Sequence, residues 1–221
     1  MKDLNQQIFE FNLGKNFTDQ DFYVSKSNKH VYDLINMWPN WEKKFLNIWG
    51  ESFSGKTHLI NIFLKKFNGI KINSDKINNE FIEKIRINKN IIIENYNENI
   101  NEDLLYTIYN IIDNENKFLL ITSEIEINKM KIELTDLKSR LNNFFFSNIN
   151  NPDDDLVYAL IIKNFSDRQI LIDKKLVNYV VKRIDRSYRK ISDFIYKIDK
   201  ISLKEKKSID FKIIKKVLEI N

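Results

Sequence analysis

One stretch of eight residues has the composition and spacing needed to bind phosphate. Gly50-Glu51-Ser52-Phe53-Ser54-Gly55-Lys56-Thr57 fits the loop pattern G-x-x-x-x-G-K-[ST]. In such a loop, backbone N–H groups and the positive end of the following helix converge on the phosphates of a nucleotide. Lys56 would neutralise the terminal phosphate oxygens, and the Thr57 hydroxyl would be a ligand of Mg²⁺. The stretch predicts a nucleotide and Mg²⁺ site lined by Gly50, Ser52, Ser54, Gly55, Lys56, Thr57 and His58.

Two later positions carry side chains suited to the same chemistry. Glu94 directly follows the apolar run Ile91-Ile92-Ile93, where the carboxylate on the Mg²⁺ side of such a site is expected. The next residue is Asn95, whose amide cannot accept a proton from water as a carboxylate can. Hydrolysis by this chain alone should therefore be slow. Thr122 ends another apolar run and could direct its hydroxyl at the γ-phosphate, although threonine is equally common at strand ends without any function.

Two arginines, Arg140 and Arg189, follow the residues described so far. A guanidinium stabilises phosphoryl charge through a rigid fork of donors. From composition alone, each is more readily explained as a solvated charge on a helix than as a catalytic group. Their roles depend on information beyond the local sequence.

The elements around the loop have the order that a phosphate site needs. Phe45 to Trp49 reads as a short buried strand, and Thr57 to Phe67 has apolar residues at helical spacing. Strand-like apolar runs recur at 69–72, 90–93, 118–122 and 144–146, and Glu102 to Asp113 reads as a helix between two of them. This alternation predicts an α/β fold with a parallel, five-stranded sheet flanked by helices.

The composition changes at Asn150-Asn151-Pro152-Asp153-Asp154-Asp155, which is typical of a helix start: an asparagine cap, a proline and acidic residues. The remaining periodic segments are helical only, and they are 153–163, 173–184, 187–203 and 211–220. We therefore predict a nucleotide-binding domain over residues 16–150 and a small helical lid domain over residues 151–221, preceded by a separate segment, residues 1–15.

Composition excludes several classes of protein. There is no cysteine, and only two histidines occur, so disulfide frameworks, thiolate chemistry and a zinc cluster are not expected. No apolar run approaches the ~20 residues that span a bilayer, and the first residues lack the apolar core of a signal peptide. A soluble, cytoplasmic protein without a membrane partner is expected. The net charge of +5 is spread among dispersed lysines, which indicates compositional bias more than a nucleic-acid tract.

Taken together, the motifs resemble a known family. The chain is similar to the Hda group of AAA+ proteins, small homologues of the bacterial replication initiator DnaA, and particularly to its alphaproteobacterial type. The resemblance covers nearly the whole chain. Besides the generic phosphate loop, the stretches that carry it are 21–28 (DFYVSKSN), 38–41 (WPNW), 136–141 (DLKSRL), 152–154 (PDD), 165–169 (FSDRQ) and 183–187 (RIDRS).

The resemblance implies roles for individual residues. Arg140 matches the arginine finger, which acts in trans on the nucleotide of a neighbouring AAA+ subunit. Arg189 matches sensor 2, which contacts the chain's own nucleotide from the lid, and Thr122 matches sensor 1. Tyr23 and Val24 match the segment that cradles adenine. The ligand implied is ADP or ATP with Mg²⁺. Where the group has Glu-Asp at the Mg²⁺ side, this chain has Glu94 followed by an asparagine.

The N-terminal segment resembles a docking peptide. Gln6-Gln7-Ile8-Phe9-Glu10-Phe11 is similar to the motif Q-x-x-L-x-[FL] with which Hda proteins bind the β sliding clamp of DNA polymerase III. Gln6 would supply amide hydrogen bonds, while Phe9 and Phe11 would enter an apolar pocket. A short amphipathic strand packed on the domain is the alternative explanation of the same residues.

The function implied is regulation of replication initiation. The chain would dock on the DNA-loaded clamp, contact DNA only indirectly, and stimulate hydrolysis of DnaA-bound ATP. It would be associated with the replisome and nucleoid. The resemblance leaves open whether the chain forms a homo-oligomer. One alternative is a DnaA-like or helicase-loader-like protein that binds DNA and uses the nucleotide as an assembly switch. A second is a P-loop kinase for a small substrate, although no acceptor motif stands out.

Overall fold

The computed structural model describes residues 21–205 and 209–219. In these ranges the strands are β1 (Phe45–Trp49), β2 (Ile70–Asn73), β3 (Asn90–Tyr96), β4 (Phe118–Ser123) and β5 (Phe145–Asn148). The helices are α1 (Lys29–Asn36), α2 (Lys56–Phe67), α3 (Asn79–Ile87), α4 (Glu102–Asn114), α5 (Thr135–Leu141), α6 (Asp154–Asp167), α7 (Lys174–Val181), α8 (Tyr188–Glu205) and α9 (Phe211–Glu219).

Short polar side chains begin several of these helices. Asn78 accepts a hydrogen bond from the Phe81 N–H at the start of α3, and Asn101 accepts one from the Leu104 N–H at the start of α4. Such caps satisfy backbone donors that the helix itself leaves unpaired. Local sequence therefore sets where the crossover helices begin, and their apolar faces then fix how they pack on the sheet.

The five strands form one parallel sheet in the order β2-β3-β4-β1-β5. This confirms the predicted α/β fold with a parallel, five-stranded sheet flanked by helices. Strand β1 pairs with β4 on one side and β5 on the other. The loop that follows β1 therefore leaves the carboxyl edge of the sheet from an interior strand, the usual place for a ligand in open α/β sheets.

Successive residues of each strand face opposite sides of the sheet. In β3, Ile91 and Ile93 pack in the apolar cluster that includes α3, α4 and α5, whereas Ile92 packs in the cluster that includes α1 and α2. The same alternation places Glu94 on the α2 side. In β4, Leu120 belongs to the α2 cluster, so Thr122, two residues later, also lies on that side.

Helices α6 to α9 share a separate apolar cluster, which includes the fully buried residues Val157, Ile161, Phe165, Val177, Val180, Phe194, Ile198 and Ile214. Asp153 and Asp173 cap the first two of these helices. Across the described ranges, no helix is both long enough and apolar enough to cross a bilayer.

Candidate nucleotide site

The phosphate loop connects β1 to α2 in a conformation that only a few residue types adopt readily. Gly55, which directly precedes α2, has a φ of +97°, and Phe53 has a φ of +68°. A side chain at position 55 would also meet the Phe22 ring, whose Cε2 lies 3.1 Å from where a Cβ would stand. Mixed right- and left-handed backbone of this kind directs successive N–H groups into a concavity suited to an anion.

The lysine of the loop is buried and bonded to the loop's own backbone. Lys56 is 7% exposed, and its Nζ donates to the carbonyl oxygens of Gly50 (2.6 Å) and Glu51 (2.9 Å). Burial lowers the pKa of Lys56, while the negative charges of Glu124 and Glu51 oppose this shift. Within the described residues, the charge of this ammonium group is compensated by two carbonyl dipoles and by the carboxylates of Glu124 and Glu51.

Two of the predicted site residues carry a buried oxygen that lacks a partner among the described residues. They are Glu94, which is 8% exposed and whose Oε1 is unpartnered, and Ser54, whose Oγ is unpartnered. The other carboxylate oxygen of Glu94 lies 3.2 Å from Nζ of Lys71. Orphaned buried oxygens are costly unless a ligand satisfies them. A carboxylate oxygen suits Mg²⁺ and a hydroxyl suits a phosphate oxygen, so both atoms fit the predicted ligand.

The described residues contain no cluster of three or more histidine, aspartate and glutamate side chains placed to hold a metal. Mg²⁺ commonly binds through one or two protein oxygens together with substrate phosphates and water. Glu94 and Thr57 would be the protein's contribution to such an ion. When bound, Mg²⁺ would supply positive charge that screens the phosphate oxygens.

Asn95 and Thr122 are connected to each other at the carboxyl edge of the sheet. The Thr122 side chain is 1% exposed, and its Oγ1 accepts a hydrogen bond from the Asn95 N–H (3.1 Å). Asn95 itself is exposed, has a φ of +56° and lies where the pairing of β3 with β4 becomes irregular. The Thr122 hydroxyl therefore fixes the backbone that carries Glu94 and Asn95.

The structure adds a carboxylate that the motifs did not indicate. Glu124, directly after β4, accepts a hydrogen bond from the Ser52 hydroxyl, and its Oε2 lies 3.6 Å from Nη2 of Arg189 at the start of α8. Glu124 thus links the phosphate loop to Arg189 of α8. Only its place next to the strand end could have pointed to it, because these contacts join residues far apart in the sequence.

The segment that precedes α1 lies against the phosphate loop through Phe22. Its ring stacks on Tyr32 (5.7 Å between centroids) and meets the His58 ring edge-on (5.2 Å). Tyr23 and Val24, in contrast, are 49% and 38% exposed. Their surfaces remain available for a base, while Phe22 holds the segment next to the loop.

Arg140 lies apart from the residues above. It occupies the last turn of α5, whose buried residues Leu137 and Leu141 pack on the side of the sheet opposite α2. Its guanidinium lies over the Tyr109 ring, 5.5 Å from the centroid, and no ion pair with a carboxylate of the described residues is seen for it. The structure therefore does not bring Arg140 together with Lys56. Gln6, Phe9 and Phe11, the predicted clamp contacts, lie outside the described residues.

The chain is similar to DnaA proteins both in sequence and in structure. No protein-family model matches the chain. In sequence it is similar to the chromosomal replication initiator protein DnaA of Borrelia turicatae, with 26% identity over 94% of this chain and 48% of the relative. DnaA of Helicobacter hepaticus is 24% identical over 97% of this chain and 54% of the relative. The chain spans about half the length of these curated relatives.

In structure the chain is similar to domain III of the DnaA replication initiation protein of Thermotoga maritima. The TM-score is 0.76 at 20% identity, over 95% of this chain and 98% of that one. AMPPCP-bound DnaA from Aquifex aeolicus gives a TM-score of 0.66 at 18% identity, over 87% of this chain and 67% of that one. The chain thus has the AAA+ P-loop fold of DnaA domain III and resembles DnaA in sequence.

Proposed function

We propose that this chain is a DnaA-related AAA+ regulator that binds ADP or ATP with Mg²⁺ and stimulates hydrolysis of ATP bound to DnaA. The observation that carries the proposal is Arg140. Its guanidinium pairs with no described carboxylate, packs on Tyr109 and lies on the opposite side of the sheet from Lys56. A cation held in this way serves a nucleotide on another subunit better than the chain's own.

The chain's own site supports nucleotide binding rather than turnover. Lys56 and the unpartnered oxygens of Ser54 and Glu94 provide the contacts that phosphate and Mg²⁺ need. DnaA from Aquifex aeolicus, a structural neighbour, is bound to AMPPCP. Asn95 cannot serve as a general base. In this proposal the nucleotide holds the chain in the conformation that presents Arg140.

The partners follow from the same proposal. DnaA carrying ATP is the target, and Arg140 stabilises charge on the transferred phosphoryl group, an effect worth ~10³–10⁵ in rate in other nucleotide switches. The β sliding clamp is the docking site, reached through Gln6, Phe9 and Phe11, so that contact with DNA is indirect. A homo-oligomer is compatible with a finger that acts between subunits.

The test is hydrolysis of DnaA-bound ATP in the presence of DNA-loaded clamp, with and without this protein. Arg140→Ala is expected to retain nucleotide binding and lose stimulation. Lys138→Ala is the matched control, because Lys138 is an exposed cation on the same helix. Stimulation that survives Arg140→Ala would refute the finger. No stimulation by the wild type, together with tight salt-dependent binding to DNA, would favour the DnaA-like DNA-binding protein.

A further inference from the structure

We propose that Glu51, the second residue of the phosphate loop, is a positioning residue that couples this loop to the lid and places Arg189. The proposal rests on the nucleotide binding proposed above and adds a residue to it. Two contacts carry it. One oxygen of the Glu51 carboxylate accepts a hydrogen bond from the Ser187 hydroxyl (2.6 Å), and the other accepts one from the Tyr188 N–H (2.7 Å).

These contacts cap helix α8 from a distant part of the chain. The first N–H groups of a helix have no partner within the helix, and a side chain close in sequence usually satisfies them. Here Ser187 Oγ accepts from the Lys190 N–H (3.2 Å), while Glu51, 137 residues before Tyr188, satisfies the Tyr188 N–H. A carboxylate is also favoured at the positive end of a helix.

The same residue is bonded to the phosphate-binding lysine. The backbone carbonyl of Glu51 accepts a hydrogen bond from Lys56 Nζ, and its side chain holds the start of α8. Arg189 is the residue directly after Tyr188, and its guanidinium lies near Glu124, which accepts from Ser52 of the loop. A phosphate that binds Lys56 and the loop N–H groups therefore also acts on Glu51. Glu51 in turn holds the start of α8, next to Arg189.

The start of α8 is also held in place by burial and by a hydrogen bond that does not involve Glu51. Tyr188 is 3% exposed, and its hydroxyl donates to the Asn150 carbonyl (3.0 Å) at the point where the sheet domain passes into the lid. A shift of Glu51 therefore cannot be absorbed by a loose helix end. It has to be transmitted to α8 as a whole or break the cap.

Asp153 offers a matched control because it makes the same kind of contact elsewhere. Its carboxylate caps α6 by accepting from the Leu156 N–H (2.9 Å), and it also accepts from the N–H (3.2 Å) and hydroxyl (3.3 Å) of Ser27. It thus joins α6 to the segment before α1, and within the described residues it makes no hydrogen bond to the phosphate loop. Asp153 and Ser27 act on the Tyr188 side chain, whereas Glu51 accepts from the Tyr188 N–H. Loss of Asp153 should weaken the fold but should not disconnect Arg189 from the loop.

The experiment measures the dissociation rate of a fluorescent ADP from the full chain by stopped flow. Glu51→Ala is expected to raise this rate by about 10-fold or more, the range that loss of a charge-assisted hydrogen bond implies, and Glu51→Gln by less. Arg189→Ala alone should also raise the dissociation rate. Combined with Glu51→Ala, it should add little to the effect of Glu51→Ala alone. Asp153→Asn should lower the Tm with the rate unchanged. Additive effects of Glu51→Ala and Arg189→Ala would overturn the proposal.

A second measurement separates this proposal from the nucleotide proposal. In the nucleotide-free protein, Glu51→Ala should speed hydrogen exchange at the amides of Tyr188 and Lys190, whereas Asp153→Asn should not. Unchanged exchange in Glu51→Ala would overturn the cap whether or not ADP binds. If the wild type binds no nucleotide while the exchange result holds, the proposed function fails and the loop-to-lid contact stands. If Glu51→Ala does not fold, Glu51→Gln supplies both readouts.

Discussion

Two buried lysines of this chain make the same kind of contact and should respond in opposite ways to the same substitution. Lys56 is 7% exposed and donates to two carbonyls of the phosphate loop. Lys117 is 8% exposed and donates to the carbonyls of Ile85, Arg86 and Asn88, at the end of α3. Substitution by methionine keeps most of the stem volume and removes the charge in both cases.

For Lys56→Met, binding should change much more than stability. A unit charge about 4 Å from a phosphate charge, at an effective dielectric constant of about 20, contributes about 4 kcal/mol, which corresponds to ~10³-fold in affinity for ADP or ATP. In the free protein, relief of the desolvation that lowers the pKa of Lys56 offsets the loss of two hydrogen bonds. The Tm should therefore stay close to that of the wild type.

For Lys117→Met, the opposite result is expected. The substitution leaves three carbonyls without their donor, and it removes one of the two cations beside Glu115, whose Oε2 lies 3.1 Å from the ammonium and whose Oε1 stays paired with Arg86. A cost of about 3 kcal/mol follows, or roughly 6–12 °C in Tm for a chain of this size. Nucleotide affinity should be unchanged, because Lys117 lies at the opposite end of the strands from the phosphate loop.

The assay is a pair of measurements on each variant: thermal unfolding without ligand, and titration with fluorescent ADP and ATP in Mg²⁺. A fall in Tm for Lys56→Met as large as that for Lys117→Met, with unaltered affinity, would show that Lys56 is a structural lysine. It would then refute the assignment of the loop as a phosphate site.

Three further outcomes are expected. Asn95→Asp should raise intrinsic ATP hydrolysis by ~10²-fold or more, as a general base does; an unchanged rate of phosphate release would mean that residue 95 does not face the attacking water. Asp153→Asn should lower the Tm at pH 7: burial opposes ionisation of Asp153, but accepted hydrogen bonds outweigh it and lower its pKa. The difference in Tm between this variant and the wild type should become smaller below about pH 4, because the wild-type carboxylate becomes protonated there. A difference that does not change with pH would contradict this. Gly69→Ala should cost about 2–4 kcal/mol in denaturant unfolding, since its Cβ would lie 2.6 Å from the Asn90 carbonyl oxygen at a φ of +146°; near-wild-type stability would contradict the contact.

The sequence was most informative where apolar runs are continuous. The predicted strand from Phe45 to Trp49 has the observed bounds, because its first four residues are buried and the sheet is covered on both sides. Strand β3, predicted to end at residue 93, continues to Tyr96. The polar residues Glu94 and Asn95 resemble a strand end, and an irregular pairing that carries the strand past them has no local signature.

Short helices were harder to predict. Helices α3 and α5 were not predicted, although α3 buries Phe81 and Ile85, and α5 buries Leu137 and Leu141. Two apolar anchors four residues apart fit a helix but also occur by chance, and tertiary packing decides between these possibilities.

Some residues of the candidate site could be predicted from the sequence, and others could not. Lys56 and Glu94 could be predicted because a motif and a strand end fix their positions. Glu51 and Glu124 could not, because their partners lie 136 and 72 residues away in the sequence and neither contact has a spacing rule. The side of the sheet on which Arg140 lies also depends on packing, through Leu137 and Leu141 of its helix.

The placement of β1 between β4 and β5 has a consequence for how the molecule responds to its ligand. A strand with neighbours on both sides opens only when much of the sheet opens, so its local unfolding free energy approaches that of the whole domain. The phosphate loop thus follows a strand that we expect to be among the last parts of the domain to unfold locally. We therefore expect a distortion of the loop to act on α8 through the Glu51 contacts with Ser187 and Tyr188, and not on the sheet.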